Sequence, residues 1–288
     1  MAEDDAAIVP PVSAVTSPPS VVIERRRSYS LRLDELWAYR ELFYFLMWRD
    51  VKVRYKQTAL GAAWAVLQPL LLMVVFTIFL GQLAGVGPPG IPYPVFAFSA
   101  LVPWMFFSNA LSASANSLVG SSNLVSKIYF PRILAPLAAA CSFVLDFAIS
   151  FVVLLVLMAA YRIPPAATAV LVPVFAVYVV AVAIGAGMLL SALNVRYRDV
   201  RYALPFLIQL WLFASPVAYQ FDVVGSQYRL IFALNPMVTG IEGFRWALLG
   251  TGGLPAEVFL ISTVSAIVLI VFGFLYFRRV ERTFADVI

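Results

Sequence analysis

The chain has 288 residues, 62% of them hydrophobic and 12% charged, with a mean hydropathy of +0.92. A soluble domain carries about 25% charged residues, and a globule of this length keeps too large a wet surface to hide so much apolar area, so the natural solvent is a bilayer. Histidine is absent and the lone cysteine, Cys141, sits in an apolar run; an intrachain disulfide, Ser-His-Asp chemistry and most zinc sites are thereby excluded, and there is no GxxxxGK[ST] loop to cradle a nucleotide.

Residues 1–33 open with Glu3, Asp4 and Asp5, pass through a Pro/Ser/Val stretch and reach Arg25-Arg26-Arg27. The basic cluster precedes no cleavable apolar segment, so a disordered cytoplasmic tail is expected rather than a secretory signal. In residues 34–57, Leu36, Tyr39, Phe43, Met47, Val51 and Tyr55 recur at helical spacing, with Glu41, Arg49, Lys52 and Lys56 on another face. Charges at nearly every turn forbid a crossing. The pattern predicts an amphipathic helix lying in the membrane interface, anchored by Trp37 and Trp48.

From Gln57 to Ser126 there is no charge, a stretch too long for one crossing and broken by the Gly/Pro-rich segment Gly85–Pro94. Spans of roughly 20 residues, about 30 Å of helix each, are expected near 62–84, 95–117, 134–160, 168–193, 202–220 and 257–277. Between the last two, Asn235-Pro236, Gly240, Glu242 and Arg245 interrupt apolar pieces too short to cross. Short re-entrant helices are predicted there, tolerable at depth only where protein covers the backbone. The fold class is therefore an all-α polytopic membrane protein: an amphipathic interfacial helix, six transmembrane helices within residues 58–280, and a cytoplasmic tail over 281–288.

With a cytoplasmic amino terminus, the inner side receives Arg25–Arg27, Arg32, Arg40, Arg49, Lys52, Arg54, Lys56, Lys127, Arg132, Arg196, Arg198, Arg201, Arg278, Arg279 and Arg282; only Arg162, Arg229 and Arg245 fall outside. This bias places both termini in the cytoplasm. The formal charge of +5 is then a topology signal, and a nucleic-acid partner is not expected. Asp146 lies inside the third span, where an acid costs about 2.5–3.5 kcal/mol on insertion scales. Donors in the bundle, such as the stripe Ser112, Ser114, Asn116 and Ser117, are expected to satisfy it. Glu242 and Arg245, three apart, are placed to pair.

Two short inner loops carry the most specific patterns: Ser121–Arg132, and Asn194-Val195-Arg196-Tyr197-Arg198-Asp199-Val200-Arg201. Charge alone makes them positive-inside loops; their composition also suits docking surfaces for a cytoplasmic partner. Together with the segment ending Arg49-Asp50-Val51-Lys52-Val53-Arg54-Tyr55-Lys56, the run Gly61-Ala62-Ala63-Trp64-Ala65-Val66-Leu67-Gln68-Pro69, and Leu234-Asn235-Pro236-Met237 leading into Glu242-Gly243-Phe244-Arg245, they occur in an order that resembles the membrane subunit of ABC-2-type exporters of the polysaccharide/polyol-phosphate (Wzm/TagG-like) family. The resemblance covers roughly residues 35–280.

The resemblance implies a homodimer bound to two copies of a separate cytoplasmic ABC ATPase, which binds ATP and Mg; this chain would bind no cofactor or metal and catalyse nothing. Glu41 on the interfacial helix, Ser126, Lys127, Tyr129 and Arg132 in one loop, and Arg196, Tyr197, Arg198 and Asp199 in the other would contact that ATPase. The cargo would be a lipid-linked polysaccharide carried outward across a bacterial cytoplasmic membrane. Its diphosphate could meet Arg49, Lys52, Arg54 and Lys56, although attraction to anionic lipids, about 1 kcal/mol per basic residue, explains the same charges. Sugar CH faces stack on aromatic rings, so Phe96, Trp104, Phe107, Trp211, Tyr219 and Phe221 are candidates for a conduit, against the ordinary preference of aromatics for membrane interfaces. Ala-, Val- and Arg-rich usage suggests a high-GC bacterium, where the resemblance would imply a polyprenyl-diphosphate-linked cell-wall galactan as cargo. Rival readings are a permease for a small hydrophobic compound, an ion-coupled carrier built around Asp146, and a glycosyltransferase, for which Asp222, Glu242 and Glu257 are too widely spaced.

Overall fold

The computed structural model describes residues 37–56, 63–121, 130–281 and 284. The expected tail over 1–33 and most of the loop over 121–132 lie outside them. Among the described residues the chain is helical, without a strand, as a bilayer demands of backbone that has no water to bond.

Helix α1, Arg40–Lys56, comes first. Its expected stripe (Tyr39, Phe43, Met47, Val51, Tyr55) is buried or half-buried, while Glu41, Lys52 and Lys56 are exposed. Tyr44, Phe45, Trp48 and Val53 are also exposed and give the helix a second, outward apolar edge. The first long helix joins α2, Ala63–Phe76, to a π-helical extension over Thr77–Leu83. Then come α3, Tyr93–Gly120, α4, Leu134–Cys141, and α5, Val144–Ala160. Helix α6, Val172–Arg196, follows a 3₁₀ turn at Ala167–Leu171. Five stretches are long and apolar enough to cross a membrane: 63–83, 93–120, 134–160, 167–196 and 256–280. These match five of the expected spans, with ends shifted by a few residues.

The fifth expected span, 202–220, is shorter than expected. Its helix α7 covers Val200–Phe213, 14 residues, about 21 Å at 1.5 Å per residue. Pro216 sets the limit, because the residue before a proline is pushed out of helical geometry; the chain turns instead, with the Ser215 hydroxyl donating to Trp211 O at 2.8 Å. The third expected span is one apolar stretch but is broken between Cys141 and Val144.

After α7 come α8, Arg229–Ala233, and α9, Pro236–Leu249. Asn235 caps α9: its side chain accepts from Met237 N at 2.9 Å and from Trp211 Nε1 at 2.8 Å, and donates to Ala214 O at 2.9 Å. Pro236 at the first helical position and left-handed Gly250 just past the last complete the helix's punctuation. Nearly every residue of α9 is buried in protein. Helix α10, Ala256–Val280, closes the fold. Phe284, within the expected C-terminal tail, is buried and packs edge-on against Phe277 with ring centroids 5.4 Å apart.

Helix α3 is the axle of the bundle. It is almost wholly buried, whereas the other four long helices bury a third or less of their most apolar stretch. It packs against α6, which packs in turn against α10. Lipid tails are as apolar as leucine, so helices in a bilayer associate by close packing through small residues. A Cβ on Gly185 would lie 2.7 Å from Ile270 Cα, and one on Gly273 would collide with the Gly185 carbonyl; the α6 and α10 backbones touch there. Gly273→Val is expected to destabilise the protein by at least about 1–3 kcal/mol, the usual cost of overpacking. Gly120→Ala, which meets nothing within 4 Å, should be neutral. Thermal unfolding of purified protein followed by size-exclusion fluorescence distinguishes the two.

Candidate functional site

The carboxyl end of α1 carries Arg54 and Tyr55, and basic residues in a last helical turn also suit the helix dipole. This end meets the break in the third long stretch. The break leaves Ser142 between α4 and α5 and puts Asp146 in the first turn of α5. Arg54 reads all of it. Nη1 donates to Asp146 Oδ2 at 2.8 Å and to Ser142 O at 3.3 Å, and Nη2 donates to Ser142 Oγ at 2.8 Å. The guanidinium lies 3.4 Å from the Phe143 ring centroid. Tyr55 donates its phenol to the other Asp146 oxygen; burial first, and this bond second, push the Tyr55 pKa up to about 12.

Asp146 is thus satisfied by a cation and a phenol of α1, which corrects the expectation that hydroxyls of the second span would serve. In that stripe Ser117 Oγ donates to Ser114 O at 2.7 Å and Asn116 Nδ2 to Ser112 O at 2.8 Å, Asn194 Nδ2 donates to Ala115 O at 2.9 Å and to Asn116 Oδ1 at 3.2 Å, and the buried Ser114 hydroxyl has no hydrogen-bond partner among the described residues. The clamp fastens the interfacial helix to a membrane helix 92 residues away in sequence.

The four basic residues expected at the lipid headgroups divide. Arg54 is turned inward, and Arg49 is held by Asp50 through bonds of 3.0 and 2.8 Å. Lys52 and Lys56 are exposed beside Phe45, Trp48 and Val53 around a shallow hollow of about 310 Å³. Of the residues expected to face an ATPase, Glu41, Arg196, Tyr197, Arg198 and Asp199 are exposed, with Arg196 packed 5.4 Å from the Tyr197 ring. Arg132 is half-buried; its backbone N–H donates to Glu281 Oε1 at 3.3 Å and its guanidinium to Glu281 O. Ser126, Lys127 and Tyr129 lie outside the described residues.

The aromatic candidates divide as well. Phe96, Trp104, Phe107 and Phe221 are buried within the chain's own core; Trp211 and Tyr219 are half-exposed. Phe107 packs edge-on against Trp211 at 4.9 Å. The four buried rings pack within the bundle. The expected Glu242–Arg245 pair forms at 2.7 Å with both side chains buried. Arg245 also donates to Pro216 O at 3.0 Å and Val217 O at 3.1 Å and lies 3.9 Å from the Phe96 ring centroid, locking α9 to α3 and to the turn after α7.

Tyr55, Ser142 and Glu281 were not singled out by sequence reasoning. Tyr55 stood on the interfacial stripe and Glu281 three residues after Arg278, to which it pairs at 3.2 Å; Ser142 carried no local signal.

A family model described as ABC-2 type transporter matches residues 41–249. The O-antigen export system permease protein RfbA of Myxococcus xanthus is 32% identical over 213 residues, 73% of this chain and 81% of that protein. A protein of the same name from Klebsiella pneumoniae is 28% identical over 241 residues, covering 83% and 92%. The polysialic acid transport protein KpsM of Escherichia coli is 22% identical over 206 residues, covering 71% and 80%.

Removing one partner of the clamp strands the other's charge. Arg54→Ala and Asp146→Ala should each cost about 1–3 kcal/mol, less than a fully buried pair because Arg54 is partly solvated, and the double variant should cost clearly less than the sum. Denaturation of the three variants in one detergent checks this. Tyr55 supplies a second test. Its phenol titrates near 10 when unfolded and about 12 when folded, so its contribution is complete below pH 10 and is lost as pH rises through 12. The stability cost of Tyr55→Phe should therefore be constant from pH 6 to 9, measured by melts across that range.

Proposed function

Because this chain belongs to the ABC-2 type transporter family, we propose that it is the membrane subunit of an ATP-driven exporter that moves a polyprenyl-diphosphate-linked polysaccharide outward across the bacterial cytoplasmic membrane. Cell-wall galactan is the candidate cargo. The observation that carries this reading is the likeness, over most of both chains, to permeases named for O-antigen export and polysialic acid transport.

In this reading α7 and the two short helices after it complete a six-span bundle whose α8 and α9 re-enter from the outer side, and both termini are cytoplasmic. Two copies pair, and two ATPase subunits bind beneath them and hold the ATP and Mg. The exposed Arg196–Asp199 loop and the outer face of α1 at Glu41 receive the push of nucleotide binding. The clamp supports that role mechanically: a force on α1 passes through Arg54 to Ser142 and Asp146, where the third stretch is already broken. Lys52 and Lys56 are the cations left available for a diphosphate, with Phe45 and Trp48 beside them for the prenyl chain. Trp211 and Tyr219 are the aromatic candidates placed to meet a glycan. An ion-coupled carrier would need a carboxylate that changes charge during transport, whereas Asp146 is held by a guanidinium and a phenol.

Depletion of the chain is expected to leave polyprenyl-linked glycan inside the cell while surface glycan falls, read by fractionation and periodic acid–Schiff staining. An ABC ATPase should co-purify with tagged protein. Unchanged intracellular glycan on depletion would instead favour a pump for small hydrophobic compounds.

A further inference from the structure

A cavity of about 310 Å³ opens above the clamp, between the end of α1, α2, α3 and α5. Its floor is the Arg54–Asp146 pair and Tyr55. Its walls bring together two chemistries, and the cavity is open, with Trp64 and Gln68 exposed at its rim. Trp64, Phe106 and Phe147 present aromatic surface, and Gln68 and Asn109 present primary amides. Among the described residues, neither amide makes a side-chain hydrogen bond. Every other asparagine of the spans does: Asn116 to Ser112 O, and Asn194 to Ala115 O.

The position makes this costly. Asn109 stands 11 residues before the inner end of α3 at Gly120, about 16 Å along the helix axis, well inside the hydrocarbon layer. The half-buried Asn109 amide, unpaired there, forfeits bonds worth about 1–3 kcal/mol, and the exposed Gln68 amide borders the same cavity; together they suit a polar guest. An anion is disfavoured: among the described residues of the wall the one cation, Arg54, is paired with Asp146. An apolar guest would leave the amides unsatisfied. A pyranose ring meets every requirement. Its vicinal hydroxyls match the paired donor and acceptor of a primary amide, its CH faces suit the rings, and the volume lies at the lower end of the usual range for ligand pockets, about 300–1,000 Å³.

We propose that this cavity is a subsite for a single neutral pyranose unit of the glycan in transit, with Gln68 and Asn109 as its hydrogen-bonding residues and Trp64 as its stacking platform. The inference rests on the export reading above and deepens it. Because the clamp forms the floor, the subsite changes shape whenever α1 moves against α5, which gives the ATPase a handle on one sugar at a time.

The test uses the full transporter in cells. p-Benzoylphenylalanine is placed at Met105, which lines the cavity, and, as a control, at Val156, which is exposed on the apolar surface of α5. After irradiation, tagged protein from the Met105 strain is expected to carry a slowly migrating adduct that stains with periodic acid–Schiff reagent, and protein from the Val156 strain is not. In a Gln68→Leu/Asn109→Leu background the adduct should fall at least tenfold. If the Met105 substitution fails to complement, the photoprobe moves to Ala65, also in the wall. Adducts to phospholipid alone, or none, in a complementing strain would overturn the subsite. The depletion experiment separates the two failures: intracellular glycan without a Met105 adduct removes only the subsite, whereas no intracellular glycan on depletion removes the export reading itself.

Discussion

A charge inside a bilayer must bring its partner with it, and this protein is arranged around two places where that rule is met. In the first, Arg54 of α1 reaches into the bundle to meet Asp146. In the second, Arg245 and Glu242 are buried together in α9, and the spare donors of Arg245 close the carbonyls of the turn after α7. Neither pair is chiefly a source of net stability, since desolvation offsets much of the attraction. Their value is positional. Each charge can be buried in only one arrangement of the surrounding helices, and so each fixes that arrangement.

Much of the architecture was legible because hydropathy and length are local properties. The charge-free run from Gln57 to Ser126 and the Gly/Pro segment inside it located the first two long helices, and the positions of Arg278 and Glu257 bounded the last. The Asn235-Pro236 pair read as an interruption and proved to be a helix start, which the capping preference of asparagine and the fixed geometry of proline also encode. Pro216 carried the signal that shortened α7 and was outweighed by the apolar run around it.

The site was less legible, for a physical reason. The partner of Asp146 lies 92 residues away, and no periodicity reports a contact at that range. Aromatic composition could not separate two uses: Phe96, Trp104 and Phe107 are as suitable for a packed core as for a sugar path, and in the structure they are buried. The loop at Arg196–Asp199 is exposed, because charge next to a span end has few places to go but water.

The glycine contact between α6 and α10 has a consequence for how such a molecule can work. Where two backbones touch at Gly185 and Gly273, there is no layer of side chains to slide, and α3 is wedged against the same assembly. These three helices form a stator. In the proposed exporter any opening would fall to the elements with less protein around them, the slender α7 and the first and third long stretches, which stand at the periphery like hinged shutters on a fixed frame.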